Sequence, residues 1–300
     1  MSVRRIETMI NYKEIITTLA TFLLLISVGS LDAAILFNDD FNATSLNTSE
    51  WDIGTNVIGR TQFGLSPLLS NGTAKIAFNT HNPDNPGNTF KGTEIKTKTA
   101  FARNSGIDFE ARIKVNRPIA NGLVVAFFMF GFDNANLTSD EIDFELLSNW
   151  INDSSNSNRV LLSTWDDFDE NNFLPEQNFT TTELVNNLDV FDFNTYRIRW
   201  LSTGTEWYVN DQFVFSTSES LSDDPMNLRL NFWAPASTFG IAFDAGLQPI
   251  TDQSLNNEYV YEVDRVTVKS LPVPEPSTFI LVLAGVFCAL WISAGRRSYE

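Results

Sequence analysis

Between residues 35 and 270 the chain is a succession of short apolar or alternating runs, broken by Asn, Asp, Ser, Thr and Gly, with no sustained helical period and no repeat. This limits the fold more than any other feature. A period of two sends one set of side chains to a core and the other to water or a cleft. Clusters of turn-forming residues cut such runs into strands. Ile107–Val115, Tyr196–Trp200 and Tyr259–Val268 alternate. Leu123–Phe130 is nearly continuous apolar, as expected of a strand covered on both faces. Trp207-Tyr208-Val209, Asn210-Asp211 and Phe213-Val214-Phe215 read as a hairpin, because Asn and Asp tolerate the left-handed turn it needs. The 25 phenylalanines against 6 tyrosines suit half-buried pleated surfaces. The expected fold is all-β, an antiparallel two-sheet sandwich of the jelly-roll type.

The ends read differently. Arg4, Arg5 and Lys13 precede an apolar stretch from Ile15 to about Val28, and small residues follow at Gly29, Ser30, Ala33 and Ala34. Residues 1–34 are therefore expected to be a signal peptide whose apolar core is helical; the alternative is an uncleaved anchor, for which that core is short of the roughly 20 residues of a span. At the other end Val273-Pro274-Glu275-Pro276 leads into an apolar run of 16 residues, Phe279–Ala294, followed by Arg296-Arg297. The prolines favour an extended linker. The arginines would stay on the cytoplasmic side of a membrane. A buried core helix is the competing reading, and it would need burial on all sides after a Pro-rich break.

Charge and rare residues exclude several function classes. The two ends carry five basic and five acidic residues, so the middle keeps the whole net charge of −17. Nucleic-acid binding needs a basic footprint, which this domain lacks. The one cysteine, Cys288, lies in the apolar tail, so the domain has no disulfide framework and no thiol chemistry. The one histidine, His81, sits in the Pro/Asn-rich stretch 81–88 and is expected to be an exposed loop residue. A multi-histidine metal site is excluded.

The most informative segment is Asp140-Glu141-Ile142-Asp143-Phe144-Glu145-Leu146. On a strand, Glu141, Asp143 and Glu145 share one face, and Ile142, Phe144 and Leu146 the other. Three partly desolvated carboxylates in a row cannot all ionise comfortably, so at least one pKa should rise and the set should titrate together. Retaining glycosidases need such a set: one carboxylate attacks the anomeric carbon and another, protonated, releases the leaving sugar and then activates water. Backbone positions i and i+4 lie about 13 Å apart at roughly 3.3 Å per residue, while retention needs the carboxyls about 5–5.5 Å apart, so the side chains must lean inward on a concave sheet. From the residues alone, a solvated acidic face and a calcium site also remain open.

Ser139-Asp140-Glu141-Ile142-Asp143-Phe144-Glu145-Leu146-Leu147 resembles the catalytic strand of glycoside hydrolase family 16. Other segments follow in the family's order: Gly106–Val115, Gly122–Gly131, Phe193–Trp200 with Trp207–Asp211, Pro225–Trp233 and Val263-Asp264-Arg265-Val266. The resemblance implies a concanavalin-like sandwich and a glycosidase acting on β-linked polysaccharide. It implies Glu141 as nucleophile, Glu145 as general acid/base and Asp143 as the assisting carboxylate. Asn231 and Trp233 match positions lining the sugar cleft, although Trp233 as a core tryptophan stays open. Asp264, with backbone groups near Asp40 and Gly72, matches a structural calcium site of many members; no cofactor is implied for catalysis. The Pro-Glu-Pro triplet, apolar run and terminal arginines resemble the PEP-CTERM sorting signal of Gram-negative bacteria. That resemblance implies export to the cell envelope, an exosortase-type partner, and anchoring by the tail or release from it.

Some positions depart from the family pattern. Ser139 stands where many β-glucanases have tryptophan, and Leu161 and Ser163 stand where polar sugar-contacting residues are common. Trp165 is expected to compensate by stacking on sugar. The Glu141-to-Glu145 spacing is the unbulged form of mixed-linkage and xyloglucan-active members, which favours a glucan containing β-1,4 bonds. A transglycosylase, a carbohydrate-binding module without turnover and a surface structural protein remain the alternatives.

Overall fold

Alternation and turn chemistry cut the chain into strands much where the sequence places them. The computed structural model describes residues 33–169, 171–172 and 174–272. In chain order the strands are β1 (Ile35–Asp39), β2 (Trp51–Ile53), β3 (Val57–Ile58), β4 (Thr61–Phe63), β5 (Leu68–Ser70), β6 (Thr73–Asn79), β7 (Phe90–Thr97), β8 (Ile107–Val115) and β9 (Val124–Asp133). Then follow β10 (Thr138–Leu147), β11 (Arg159–Phe168), β12 (Asn178–Leu184), β13 (Asn194–Leu201), β14 (Gly204–Val209), β15 (Gln212–Thr217), β16 (Asn227–Trp233) and β17 (Glu258–Ser270). Among the described residues the helical elements are short: α1 (Ser148–Ile151) and two 3₁₀ turns, Pro175–Gln177 and Gln253–Leu255.

The strands form two sheets packed face to face, antiparallel throughout except where β4, paired with β3, runs parallel to the start of β7. One runs β2-β7-β16-β9-β10-β11-β12. The other runs β5-β6-β17-β8-β13-β14-β15, with β1 pairing the far end of β17. β7 belongs to both: Gly92 and Lys91 pair with β6, while Thr93–Lys96 pair with β16. Asn210 and Asp211 both take positive φ, 50° and 63°, so the β14–β15 hairpin closes through the expected left-handed turn.

The core lies between the sheets. β10 sends in Ile142, Phe144 and Leu146; β9 sends Val125, Phe127 and Met129; the facing sheet answers with Phe109, Ile113, Tyr196 and Ile198. Phe144 meets Tyr196 edge-on with ring centroids 5.0 Å apart. The continuous apolar run in β9 has a local cause. Its other face, Val124, Ala126 and Phe128, joins Leu147, Leu161 and Ala242 in a second cluster, against which Trp233 and Phe239 pack.

One expectation is corrected. His81 is half-buried, bridges to Ile250 and places Nδ1 3.3 Å from the Ile250 carbonyl, because its backbone N–H is pinned by Asn256 Oδ1 at 2.9 Å. The expected signal helix and apolar tail helix lie outside the described residues. Among the described residues no helix is long and apolar enough to cross a membrane.

Candidate active site

β10 is the middle of the site: β9 holds it without slip on one side, and on the other β11 shifts register once, between Ser139 and Glu141, and then stays in step through Glu145. β9 pairs with it from Thr138↔Asp133 to Leu147↔Val124 in one register. No residue is inserted between Glu141 and Glu145, so Glu141, Asp143 and Glu145 stay on one face. That face opens into a cleft of about 650 Å³. Its floor comes from β9, where Phe130, Phe128 and Ala126 stand opposite the three acids in turn. One wall comes from β11, where Trp165, Ser163 and Leu161 stand opposite them. Arg229, Asn231 and Trp233 of β16 form the other.

The middle acid is held most firmly. Asp143 Oδ2 accepts hydrogen bonds from Ser163 Oγ at 2.5 Å and Trp165 Nε1 at 3.3 Å. From the facing sheet, the Trp207 indole donates to the Asp143 carbonyl at 2.9 Å, tying the strand's backbone across the core. Asp143 and Glu145 are 7% and 9% exposed and Glu141 is half-buried, so water solvates the row poorly at two of its three carboxyls.

The electrostatics follow from that burial. Burial pushes the Glu141 carboxyl well above the usual carboxylate range, and the charges of Asp143 and Glu145 push it further; Arg229 pulls the other way. Burial, then the charge of Asp143, raises Glu145 well above its ordinary value. Asp143 is pushed up to about 6 by burial, against hydrogen bonds from Ser163, Glu141 and Trp165 that favour its ionised form. The three share protons as one set. Such a set takes up and releases protons jointly, which is what paired nucleophilic and acid/base catalysis draws on.

The six residues expected at the reacting centre and sugar cleft thus come together. Trp233 is half-buried and stacks near Phe239, centroids 6.2 Å apart, so it is a cleft wall rather than a core residue. Ser163, a departure from the family's sugar-contacting type, has a different task, holding Asp143. Three residues were not singled out from the sequence. Arg229 is the one cation on the cleft lining among the described residues. Glu94, 1% exposed, accepts from Asn231 Nδ2 at 3.2 Å and pairs with Arg229 Nη1 at 3.5 Å. Asp140 accepts the backbone N–H groups of Asp167, Asp223 and Asp224 at 2.9, 2.7 and 2.9 Å, clamping the end of β11 and the 223–224 loop beside Glu141. An Asp one residue before the acid row was the only signal available for that clamp.

The calcium expectation falls elsewhere, on the other sheet. β1 and β17 bring Asp39 opposite Val266, and β6 brings Ala74 opposite Val263, so Asp40, Asp264 and Gly72 lie near one another by register. Asp264 is already paired with Arg112 at 2.8 Å, and Asp40 is exposed, with Oδ1 accepting from the Asn42 N–H at 3.3 Å. A hard cation takes 6–8 oxygen ligands; here the one carboxylate placed to serve it is balanced by a guanidinium, so the fit is partial. Three carboxylates meet in Asp140-Asp166-Asp223 and Asp140-Asp167-Asp224, not in the Glu141 row, but Asp140 there is spent on backbone N–H groups.

With this geometry in hand, residues 62–246 match the family model for glycosyl hydrolases family 16. Among curated proteins no relative matches. Solved structures of similar fold include a prokaryotic β-1,3-1,4-glucanase (lichenase) from a mouse hindgut metagenome, with 18% identity, TM-score 0.58, and coverage of 79% of this chain and 99% of that one. The endo-β-1,3-glucanase of Pyrococcus furiosus has 19% identity, TM-score 0.60, and coverage of 80% and 96%. The Bacillus licheniformis β-glucanase has 16% identity, TM-score 0.58, and coverage of 78% and 97%. At these identities the likeness speaks to the fold.

Proposed function

The chain belongs to glycosyl hydrolases family 16 and is a glycoside hydrolase acting on O-glycosyl bonds, and from that premise we propose that it is a retaining endo-glycosidase cutting β-linked polysaccharide by double displacement. The observation that carries this reading is the row Glu141-Asp143-Glu145, half-buried at Glu141 and buried at the other two, on one face of a strand that β9 holds in a single register beside an open cleft. Glu141 attacks the anomeric carbon while the glycosidic C–O bond breaks and Glu145 gives its proton to the leaving oxygen. Glu145 then takes a proton from water, which attacks the same carbon and frees Glu141. Asp143, fixed by Ser163 and Trp165, keeps the two glutamates from losing their protons together. Trp165 and Trp233 offer ring faces for pyranoses. The unbulged spacing favours a β-glucan containing β-1,4 bonds, while the neighbours, named for β-1,3 and β-1,3-1,4 glucans, support only a β-glucan in general.

The test is release of reducing ends by residues 35–270 from a panel of β-glucans, xyloglucan and bacterial exopolysaccharide, with E141Q and E145Q as controls. Turnover lost in both variants is expected. New chain lengths without new reducing ends would instead identify a transglycosylase. Binding without turnover in all three proteins would sink the enzyme reading in favour of a carbohydrate-binding module.

The same proposal extends to the ends. Residues 1–34 serve as the export signal, 35–270 as the catalytic sandwich, and 271–300 as a PEP-CTERM linker, membrane helix and basic tail read by an exosortase-type partner. The location is the envelope of a Gram-negative bacterium, anchored or released; intact-mass measurement of exported protein shows whether either end is cut. A structural calcium ion near Asp264, Asp40 and Gly72 would have to displace Arg112, so millimolar calcium is expected to raise Tm only slightly, and EDTA to reverse it.

A further inference from the structure

Resting on the assignment of Glu141 and Glu145 above, we propose that Arg229 is a positioning residue that gives the acid row its polarity, placing one fixed positive charge against Glu141 and leaving Glu145 without one.

The two glutamates are nearly equivalent in sequence, yet the reaction needs them in opposite protonation states at the start. The register separates them. Across β9, Glu141 stands level with Phe130 and Asn227, Asp143 with Phe128 and Arg229, and Glu145 with Ala126 and Asn231. Arg229 thus starts level with the middle acid, but its guanidinium lies over the Phe130 ring, 4.4 Å from the centroid. Phe130 is the direct cross-strand neighbour of Glu141. The cation therefore leans toward the Glu141 end of the row and away from the Glu145 end, where the β16 residue is a neutral amide.

The lean is fixed on both sides. Glu94 holds Nη1 at 3.5 Å and is itself buried. Gly54 allows that burial, since a Cβ there would stand 2.7 Å from Glu94 Oε1 and 2.9 Å from Glu94 Cβ. Below, the aromatic face of Phe130 supports the guanidinium plane. Other charges facing Glu141 come from its own strand, Asp143 and Glu145, and both oppose its ionisation. β9 and β11 present Phe130, Trp165 and Ser163, none of which carries charge in the working range. Asp140, Asp166, Asp223 and Asp224 gather instead around the loop clamp. Among the described residues Arg229 is thus the one favourable charge that Glu141 meets, and its pull on Glu141 has no counterpart at Glu145.

The decisive measurement is an NMR titration of protein carrying ¹³C-carboxyl glutamate, with the two signals assigned through E141Q and E145Q. It compares the wild type with R229K, R229M and the paired variant E94Q/R229M, which avoids leaving Glu94 buried alone. In R229M and in the paired variant the Glu141 midpoint is expected to rise by about one pH unit, with Glu145 moving much less. R229K, which keeps the charge, is expected to stay near the wild type. On a glycan that is turned over, the acidic limb of kcat/KM follows Glu141 upward, and well below that limb activity falls about tenfold. An unmoved Glu141 midpoint, or equal movement of both glutamates, would overturn the inference. So would a rise in KM alone with unchanged midpoints, which would make Arg229 a sugar contact. Absence of turnover on every glycan defeats the glycosidase reading, whereas the titration still decides the place of Arg229.

Discussion

β8 and β10 carry almost the same alternation, one strand in each sheet, and their outward faces have opposite electrostatics. On β8 each outward charge finds its opposite. Asp108 receives Arg199 in a two-pronged contact at 2.8 and 2.9 Å; Glu110 meets Arg265 at 3.3 Å; Arg112 meets Asp264 at 2.8 Å; Lys114 meets Glu262 at 3.2 Å. On β10 three acids stand in a row with a single cation two strands away, itself shared with Glu94. Both patterns are compatible with the fold because the inward residues of both strands join the same core. The difference teaches that alternation tells which face is outward, whereas charge matching with neighbouring strands tells what the face is for. A matched face holds the sheet together. An unmatched, buried one keeps electrostatic strain that serves chemistry.

The contrast is broken most sharply by neutralising one acid on each strand. E145Q is expected to cut kcat/KM on polysaccharide by about 10³–10⁴-fold, with much of the loss recovered on a substrate whose leaving group needs no proton, whereas E110Q stays within about twofold. Next in size is the shared core face. Phe144→Ala and Phe109→Ala should each cost about 3–5 kcal/mol in urea unfolding, and a large inequality would show that the core faces are not equivalent.

Smaller effects concern pH. Glu145 is raised in the folded protein, so between the unfolded carboxyl pKa and its raised value the native state binds more protons than the unfolded chain. Stability therefore falls as pH rises through that window. The penalty is absent near pH 4 and complete above the folded pKa. E145Q removes it and should stabilise the fold more at high pH than near pH 4, seen as a Tm gain that grows with pH. Breaking a half-exposed pair on the matched face is the mildest change: Arg265→Ala should cost less than about 1 kcal/mol, and less still in high salt.

What was legible in the sequence was local. The face shared by Glu141, Asp143 and Glu145, the core face of Ile142 and Phe144, and the Asn210-Asp211 turn each depend on neighbours within a few residues. Arg229 and Glu94 were not legible, because the cluster joins strands whose positions pair only after folding, Asn231 and Glu94 being 137 positions apart in the chain. The clamp of Asp140 on Asp223 and Asp224 spans 83 and 84 residues and binds backbone N–H groups, which no side-chain pattern announces. His81 was misjudged for the same reason: its contacts come from residues 250 and 256.

The crossing of β7 from one sheet to the other has a consequence for how the molecule comes apart. Backbone ladders join its first half to β6 and β4 and its second half to β16 and β2, so the layers cannot peel away from each other without tearing a continuous strand. Unfolding of residues 33–271 is then expected to be a single cooperative event. The amides of β7 should exchange with solvent only through global opening, as slowly as any in the protein, and loss of cleft chemistry on heating should coincide with loss of the far sheet's tryptophan signal.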